Sequence, residues 1–277
     1  MTSFIWTLLT YFMAAMGLFW LILKMLEFFF PSILPWLNWR WTFSGIVVTS
    51  LLYAAIRVWP WRPIRLPIAG TDAHITIRFD DILKSEGNIA IASSNFFNTD
   101  LSFISKSSLL GQYILKYFNG GTARIEEGIS RSLQHITPEK VIVSRGKPLS
   151  YPIGTVAMFD GPKNNKVFLL AITEILEEDN EEKITSSASN VQKALETLWD
   201  RAEQNINDGI LNMVPLGSGI SHSFHRLVES VMFIALSFVK RCKIRRPCSE
   251  LVIFIRKSDV KLKDYGALKQ IIEAITG

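Results

Sequence analysis

Residues 4–23, FIWTLLTYFMAAMGLFWLIL, form a run of 20 residues that contains no charged side chain. About 20 apolar residues in a helix are enough to cross the hydrocarbon core of a bilayer. Lys24 and Glu27 follow one helical turn apart, and Pro31 and Pro35 then predict a break in the helix. The chain therefore begins with a predicted transmembrane helix and cannot be one globular domain throughout.

A second apolar run, WTFSGIVVTSLLYAAI, covers residues 41–56 and is followed by Arg57. It is short, but it reaches about 18 residues if the Arg57 side chain extends towards the headgroups. Trp36, Trp39 and Trp41 precede or open this run and are typical of the aromatic belt at a membrane surface. The two runs together predict a hairpin of two transmembrane helices.

A cleaved signal peptide is the alternative interpretation of the first run. No Lys or Arg precedes it, no Ala-x-Ala site follows at the expected distance, and a second apolar run comes soon after. These features favour the hairpin.

Basic residues near the apolar runs predict the orientation of the hairpin. Arg57, Arg62 and Arg65 follow the second run, whereas Lys24 and Arg40 flank the loop between the runs. The positive-inside rule then places both termini in the cytoplasm. We expect a two-helix protein of the cell inner membrane with its remaining residues in the cytoplasm.

The cysteine content agrees with a reducing compartment. Only Cys242 and Cys248 are present, so a single disulfide is possible but there is no disulfide framework. Their spacing matches no usual zinc motif.

Residues 67–277 have the pattern of an α/β domain, and residues 1–66 are assigned to the hairpin and its linker. The stretch 62–70, RPIRLPIAG, is predicted to be an extended linker because its prolines disfavour helix. Short β-branched runs then alternate with helical periodicity, which predicts a three-layer α/β/α fold with a mixed, mostly parallel sheet. Strands are predicted at 74–79, 88–94, 210–216 and 250–256 and as a hairpin over 155–175, and helices at 101–118, 185–206, 222–241 and 264–275.

The net charge of +5 includes a basic run at residues 240–246. Such a run can bind nucleic acid, but it is more often a solvated face or a contact with a membrane surface. We therefore predict no nucleic-acid partner.

Small residues lie between a predicted strand and a predicted helix at Gly217, Ser218, Gly219, Ile220 and Ser221. Free backbone N–H groups at such a junction can bind a phosphate, although small residues there are also ordinary turn chemistry. The stretch lacks the Gly-Lys-Ser/Thr of a P-loop and the third glycine of a Rossmann fingerprint.

Two further stretches, taken with this junction, resemble the ligand-binding segments of the macro domain, an ADP-ribose-binding module. In that family, Gly-Asp-Ile-Thr leads through a strand to Asn-Ala-Ala-Asn, and here the matching residues are 80–83, DDIL, and 92–95, ASSN. The family's later Gly-x-Gly-Ile loop corresponds to residues 217–220, and YPIGTVAMFDG is similar to its intervening hairpin. The resemblance implies a macro-like domain that binds ADP-ribose.

The residue types suit that ligand. The Asp81 carboxylate, beside Ile82, can accept a hydrogen bond from the adenine amine, and Asn95, beside Ser94, can pair with ribose hydroxyls. The loop 217–221 offers N–H groups to the pyrophosphate. Asp81 can equally be a helix N-cap, and Asn95 a turn residue that bonds its own backbone.

Hydrolytic macro domains usually have a run of glycines soon after the asparagine, and this chain has FFNTDLSFIS instead. We expect Phe96 and Phe97 to narrow that side of the pocket or to help bind a group beyond the distal ribose. This favours a protein that binds its ligand over an ADP-ribosyl hydrolase, which stays the alternative. His222 and His225 lack further metal ligands, so neither a metal nor a catalytic residue is predicted.

Two membrane helices followed by a divergent macro domain are similar to the membrane-anchored effector of type II Thoeris anti-phage defence. The resemblance implies that a TIR-domain enzyme produces a histidine–ADP-ribose conjugate, which is a signal and not a resident cofactor. It also implies that the macro domain binds this conjugate and that the membrane part then disrupts the bilayer, causing abortive infection. Because two helices cannot enclose a pore, we expect homo-oligomers on activation.

Overall fold

The computed structural model describes residues 2–30, 39–57, 62–140, 146–178, 181–206, 208–217, 224, 226–260 and 262–277. The chain divides into two compact units, Met1–Arg62 and Pro63–Gly277. The division comes four residues before the boundary predicted after residue 66. The reason is that residues 64–67 pair with the sheet of the second unit.

The first unit consists of two helices, α1 (Thr2–Phe29) and α2 (Trp39–Arg57). They pack through small residues, since Ala15, Ser50 and Ala54 are buried between them. Lys24 donates to Glu27 at 2.7 Å within α1, which continues past the predicted end of the apolar run. Pro31, Pro35 and Trp36 lie outside the described residues.

Of the two predicted spanning helices, only the first meets the length and hydropathy that a membrane span needs. Within the described residues one helical stretch, Leu8–Phe29, is long and apolar enough to cross a membrane. The second helix is formed, but Arg40 and Arg57 lie at its ends and lower the mean hydropathy of its 19 residues. At about 1.5 Å per residue it spans roughly 28 Å, slightly less than a bilayer core of about 30 Å.

The second unit contains ten strands and five α-helices in the part of the chain that the structure describes. The strands are β1 (Ile64–Pro67), β2 (His74–Arg78), β3 (Asn88–Ser94), β4 (Glu139–Lys140), β5 (Leu149–Ser150), β6 (Val156–Asp160), β7 (Lys166–Glu178), β8 (Glu181–Thr185), β9 (Ile210–Met213) and β10 (Glu250–Phe254). The helices are α3 (Leu109–Phe118), α4 (Ala123–Leu133), α5 (Ala188–Asn205), α6 (Leu227–Cys242) and α7 (Leu262–Thr276).

The main sheet has the strand order β1-β2-β10-β9-β3-β7-β6. Neighbours from β2 to β7 are parallel, whereas β1 and β6 are antiparallel at the two edges. The outer part of β7 pairs with β8 as an antiparallel ribbon, and β4 and β5 form a separate two-stranded sheet. All five parallel strands therefore end at the same edge of the sheet.

Helices cover both faces of this sheet. On one face, strand residues such as Ile91 and Leu169 share a hydrophobic cluster with Ile114 of α3 and Ile129 of α4. The strand residues that alternate with them are also buried, which requires helices α5, α6 and α7 on the opposite face. There the Trp199 ring of α5 lies 5.3 Å from Phe238 of α6. The predicted three-layer α/β/α fold with a mixed sheet is confirmed.

The predicted linker 62–70 is wrong in part, because Ile64–Pro67 is the edge strand β1. It is extended as expected, but it pairs with β2 along its whole length, and Ile64 is buried. Pro67 is tolerated at the end of β1 because one side of an edge strand has no partner strand.

The predicted helix 101–118 begins eight residues late, at Leu109. Asp100 and the serines that follow bond the local backbone instead: Asp100 Oδ1 accepts from Ser102 N at 2.8 Å. Ser108 Oγ accepts from Gly111 N at 3.0 Å, which makes Ser108 the N-cap of α3. These short polar side chains compete with helix formation and give a loop over 100–108.

Candidate ligand-binding site

A cavity of about 550 Å³ lies at the carboxyl ends of three adjacent strands, β9, β3 and β7. This volume falls in the range of small-molecule sites. Ligands of open α/β sheets bind at this edge. The described residues that line it are Ile91, Ala92, Ser93, Ser94, Asn98, Phe103, Ile104, Ser105, Ser107, Ser108, Leu109, Leu110, Ile172, Thr173, Ile175, Ile184, Val214, Pro215, Leu216 and Gly217.

Hydroxyl groups line this cavity where β3 ends and its pairing with β7 stops. Ser94 pairs with Thr173 across the two strands, and the register shifts between Ser93 and Ser94. Such irregularities re-aim side chains near ligand sites. Within the described residues, the hydroxyls of Ser93, Ser94 and Thr173 have no hydrogen-bond partner. They can donate to or accept from a sugar.

The N-terminus of α3 forms one wall of the cavity, through Ser107, Ser108, Leu109 and Leu110. Gly111 in the first turn lets the helix lie against the preceding loop, since a Cβ there would be 2.3 Å from Ser105 O. The first N–H groups of a helix lack helical partners and attract anions. The sequence interpretation assigned this role to residues 217–221 and overlooked α3.

Gly217 lines the opposite wall and begins the predicted phosphate loop. Its φ of 69° is a conformation that favours glycine. Its carbonyl accepts from Phe224 N at 3.2 Å, so the two ends of the loop meet. Ser218, Gly219, Ile220 and Ser221 lie outside the described residues.

The helix that follows this loop starts later than predicted. It was expected to open at residue 222, but α6 begins at Leu227, with Arg226 as its N-cap. Arg226 N donates to Glu229 Oε2 at 3.3 Å, which fixes the helix start there. A buried hydrogen bond of 2.7 Å from Ser230 Oγ to Leu216 O holds α6 against the residue that precedes the loop.

Asp81 and Ile82 lie at the carboxyl end of β2 and are not among the described residues that line the cavity. Asp81 Oδ1 accepts from Leu83 N at 3.0 Å and caps a short 3₁₀ helix, Ile82–Lys84. The Ile82 side chain is buried in the hydrophobic cluster, so only its backbone can reach a ligand. β2 is three strands from β3, which is roughly 14 Å at about 4.8 Å per strand.

Asn95 follows Ser94 and is largely buried. Its backbone N–H donates to Thr173 O, and its Oδ1 accepts from Ile175 N at 3.4 Å. Its Nδ2 has no acceptor in the part of the chain that the structure describes. The residue therefore ties β3 to β7 and keeps one donor free next to the cavity.

Phe96 and Phe97 were expected to narrow the pocket, and this is wrong: both side chains are buried in the core and neither lines the cavity. Phe97 takes a positive φ of 49° in the turn that follows β3, which removes its ring from the site. Lys147 Nζ donates to Phe97 O at 2.8 Å and pairs with Glu126 at 2.5 Å, which holds this strained turn. Among the described residues that line the cavity, the aromatic ring is that of Phe103.

The basic run 240–246 is largely paired within the domain. Arg241 contacts Asp200 and Glu203, and Arg245 also contacts Glu203. Arg246 pairs with Asp208. These ion pairs join the end of α6 and the residues after it to α5 and to the segment before β9.

The described cavity lining contains no Asp, Glu, His or Cys. No group of three or more of these residues is placed to hold a metal ion elsewhere in the described residues. Both cysteines are buried free thiols, and burial raises the pKa of Cys242 to about 12. A thiol with so high a pKa is a poor nucleophile at neutral pH.

Comparison with protein families gives a match over most of the second unit. The family model is described as Thoeris protein ThsA, Macro domain, and it matches residues 75–256. The matched segment runs from β2 to the end of β10 and contains all the described residues that line the cavity. The comparison with curated protein sequences gives no match.

Solved structures with the same fold include macrodomains of Oceanobacillus iheyensis. One point mutant is 12% identical, with a TM-score of 0.52 over 77% of this chain and 95% of that one. A second point mutant, solved with ADPR, is 10% identical, with a TM-score of 0.51 over 77% and 97% of the two chains. The macrodomain with ADP is 12% identical, with a TM-score of 0.50 over 77% and 98%. At this identity the likeness establishes the fold.

Proposed function

This chain belongs to the Thoeris ThsA macro-domain family, and we propose on that premise that it is a membrane-anchored effector of anti-phage defence. In this proposal the macro domain binds an ADP-ribose-derived signal, and the N-terminal helices then disrupt the membrane. The observation that carries the proposal is the cavity at the carboxyl ends of β9, β3 and β7. It brings together a helix N-terminus, Gly217 and hydroxyls that have no hydrogen-bond partner within the described residues.

The cavity supports ADP-ribose because the distal ribose and the pyrophosphate of that ligand both find suitable chemistry in it. The hydroxyls of Ser94 and Thr173 suit the distal ribose, and the N-terminus of α3 together with the loop 217–221 suits the pyrophosphate. The similar O. iheyensis macrodomains were crystallised with ADPR and with ADP.

Asp81 lies at the same edge of the sheet, roughly 14 Å from β3. An extended dinucleotide can bridge that gap. The Asp81 carboxylate would then accept a hydrogen bond from the adenine amine, and the Ile82 backbone would lie beside the base. Ser94 and the free Nδ2 of Asn95 would bind the distal ribose. Asp81 would keep its capping bond to Leu83, because a carboxylate has further lone pairs.

The finer identity of the signal, a histidine–ADP-ribose conjugate made by a TIR-domain enzyme, follows from the family resemblance. The end of the cavity beyond Thr173 supports it. There Ile175 and Ile184, which pair across β7 and β8, give the cavity an apolar lining that suits a group attached to the distal ribose. The chain needs no resident cofactor in this account.

The N-terminal unit is proposed to lie in the inner membrane, with the macro domain in the cytoplasm. α1 is long enough to be an anchor, and its exposed Trp6, Leu18 and Phe28 suit a lipid environment. The shorter α2 would complete a two-pass hairpin. Because two helices cannot enclose a pore, the active form would be a homo-oligomer.

A membrane-tethered ADP-ribosyl hydrolase is the second candidate, since macro folds can host either role. Binding without turnover is favoured here because FFNTDLSFIS replaces the glycine run that hydrolytic macro domains usually have soon after the asparagine. The test is calorimetry of the full chain in lipid nanodiscs with ADP-ribose and with its histidine conjugate, alongside a turnover assay on ADP-ribosylated protein. We expect binding without turnover. Turnover would establish the hydrolase, and absence of binding would remove both functions.

A further inference from the structure

Arg256 lies where a ligand must cross from one end of the proposed site to the other. It follows β10, which ends at Phe254 and lies between β2 and β9 in the sheet. Ile255 N still donates to Arg78 O at 2.9 Å, so the chain remains in the sheet up to Arg256. A molecule reaching from Asp81 to Ser94 passes over this position.

The Arg256 side chain points to the face that carries the cavity. Val252 and Phe254 belong to the hydrophobic cluster under α3, and a residue two further along an extended strand faces the same way. Arg256 Nη2 lies 3.5 Å from Gln112 Oε1 of α3. Gln112 Nε2 in turn donates to the carbonyl of Ser107, a cavity-lining residue, at 2.6 Å.

Arg256 keeps its charge available. Its side chain is exposed, and in the described part of the chain it forms no ion pair. A 3.5 Å contact with a neutral amide is at the long limit of a hydrogen bond. Arg241, Arg245 and Arg246, by contrast, all pair with carboxylates.

The charges near Arg256 explain why a cation is needed at this position. Asp80 and Asp81 place two carboxylates just after the neighbouring strand β2, where they repel a pyrophosphate, and the cation that ends this strand, Arg78, lies over the Phe254 ring, 5.7 Å from its centroid. Backbone N–H groups supply dipoles but no net charge. We infer that Arg256 binds the pyrophosphate of the ligand and makes the site selective for a charged dinucleotide. This inference rests on the proposed function and adds a residue to it.

The test compares three variants of the full chain by calorimetry with ADP-ribose, at about 50 mM and about 500 mM salt. Arg256→Gln should weaken binding about tenfold at low salt and flatten its salt dependence, because an exposed charge-assisted bond is lost. Arg256→Lys should recover most of the low-salt affinity. Lys257→Gln, which removes an adjacent exposed charge, should match the wild type at both salt concentrations.

The outcomes separate this inference from the function on which it rests. If the wild type binds ADP-ribose and Arg256→Gln binds within twofold of it, Arg256 has no role in the site and the proposed function stands. An equal loss for Lys257→Gln would overturn the inference too, since it would indicate general attraction by net charge. If the wild type itself fails to bind, both the function and the inference are wrong.

Discussion

The helix pair and the macro domain both contain strongly apolar helices, but the two units expose them differently. In α1, Trp6 and Phe28 are 68% and 80% exposed, whereas Val231 and Phe238 of α6 are completely buried. The difference is that α6 packs against α5 and α7 of its own unit, whereas α1 has only the shorter α2. Apolar sequence alone therefore does not separate a core helix from a membrane helix; the partner within the unit does.

This contrast implies that the helix pair and the macro domain have different roles. Mutations in one unit or the other can separate these roles. The largest effect is expected from removing the helix pair. A variant lacking residues 1–57 should lose signal-dependent toxicity entirely, because nothing remains to enter the bilayer. The measurement is cell growth while the proposed TIR-domain partner is active. If this variant still stops growth when the signal is present, the helices are only an anchor and the proposed mechanism is wrong.

The next largest effect is expected from Gly217→Val. A β-branched residue is strained at the φ of 69° found there, and its side chain would enter the cavity. ADP-ribose binding should fall by at least about a hundredfold, roughly 2.7 kcal/mol, with the protein still inserted in the membrane.

The matched control is Gly70→Val. Gly70 also has a positive φ, of 75°, but it lies in the turn before β2, at the opposite edge of the sheet, with open space around it. Its replacement should cost similar stability and leave binding unchanged. Equal affinity of both variants would remove the 217 loop from the site.

A smaller effect is expected at the boundary between the units. A fragment that begins at residue 67 lacks most of β1, whereas one that begins at residue 63 keeps it. Losing buried Ile64 and the pairing with β2 should lower the free energy of unfolding by about 3 kcal/mol. Chemical denaturation of the two fragments measures this directly. Equal stabilities would mean that the segment is a linker after all.

The smallest effect is expected for Asp81→Ala, which should weaken ADP-ribose binding tenfold to a hundredfold, or about 1.5–3 kcal/mol. The same change removes the cap on Leu83 N and costs about 1 kcal/mol of stability. Asp81→Asn keeps a capping oxygen and separates the two effects. A folded Asp81→Ala variant that binds within twofold of wild type would leave Asp81 only as a cap.

Strand and helix periodicity was enough to predict the three-layer fold. β3 matches its predicted residues, 88–94, and α5 begins one residue after its N-cap Ser187, inside the predicted range. The boundaries that failed depend on tertiary partners: Ile64–Pro67 is a strand only because β2 lies beside it.

The candidate site could be predicted only in part. Motif resemblance indicated Ser94 and Gly217, which both line the cavity. It did not indicate Thr173, which reaches the cavity by pairing with β3, or Ile184, which reaches it by pairing with β7. Phe97 was misplaced because a positive φ for a bulky residue cannot be inferred from sequence.

Dye release from liposomes that contain the purified full chain tests the central claim most directly, namely that the macro domain controls the membrane unit. The histidine–ADP-ribose conjugate should trigger dye release from liposomes that contain the wild-type protein and none from liposomes that contain Gly217→Val. A ligand shifts the equilibrium between two states of a protein only if it binds one of them more tightly, and the variant should not bind it. Release that is the same with and without the conjugate, or tight binding without release, would contradict the account.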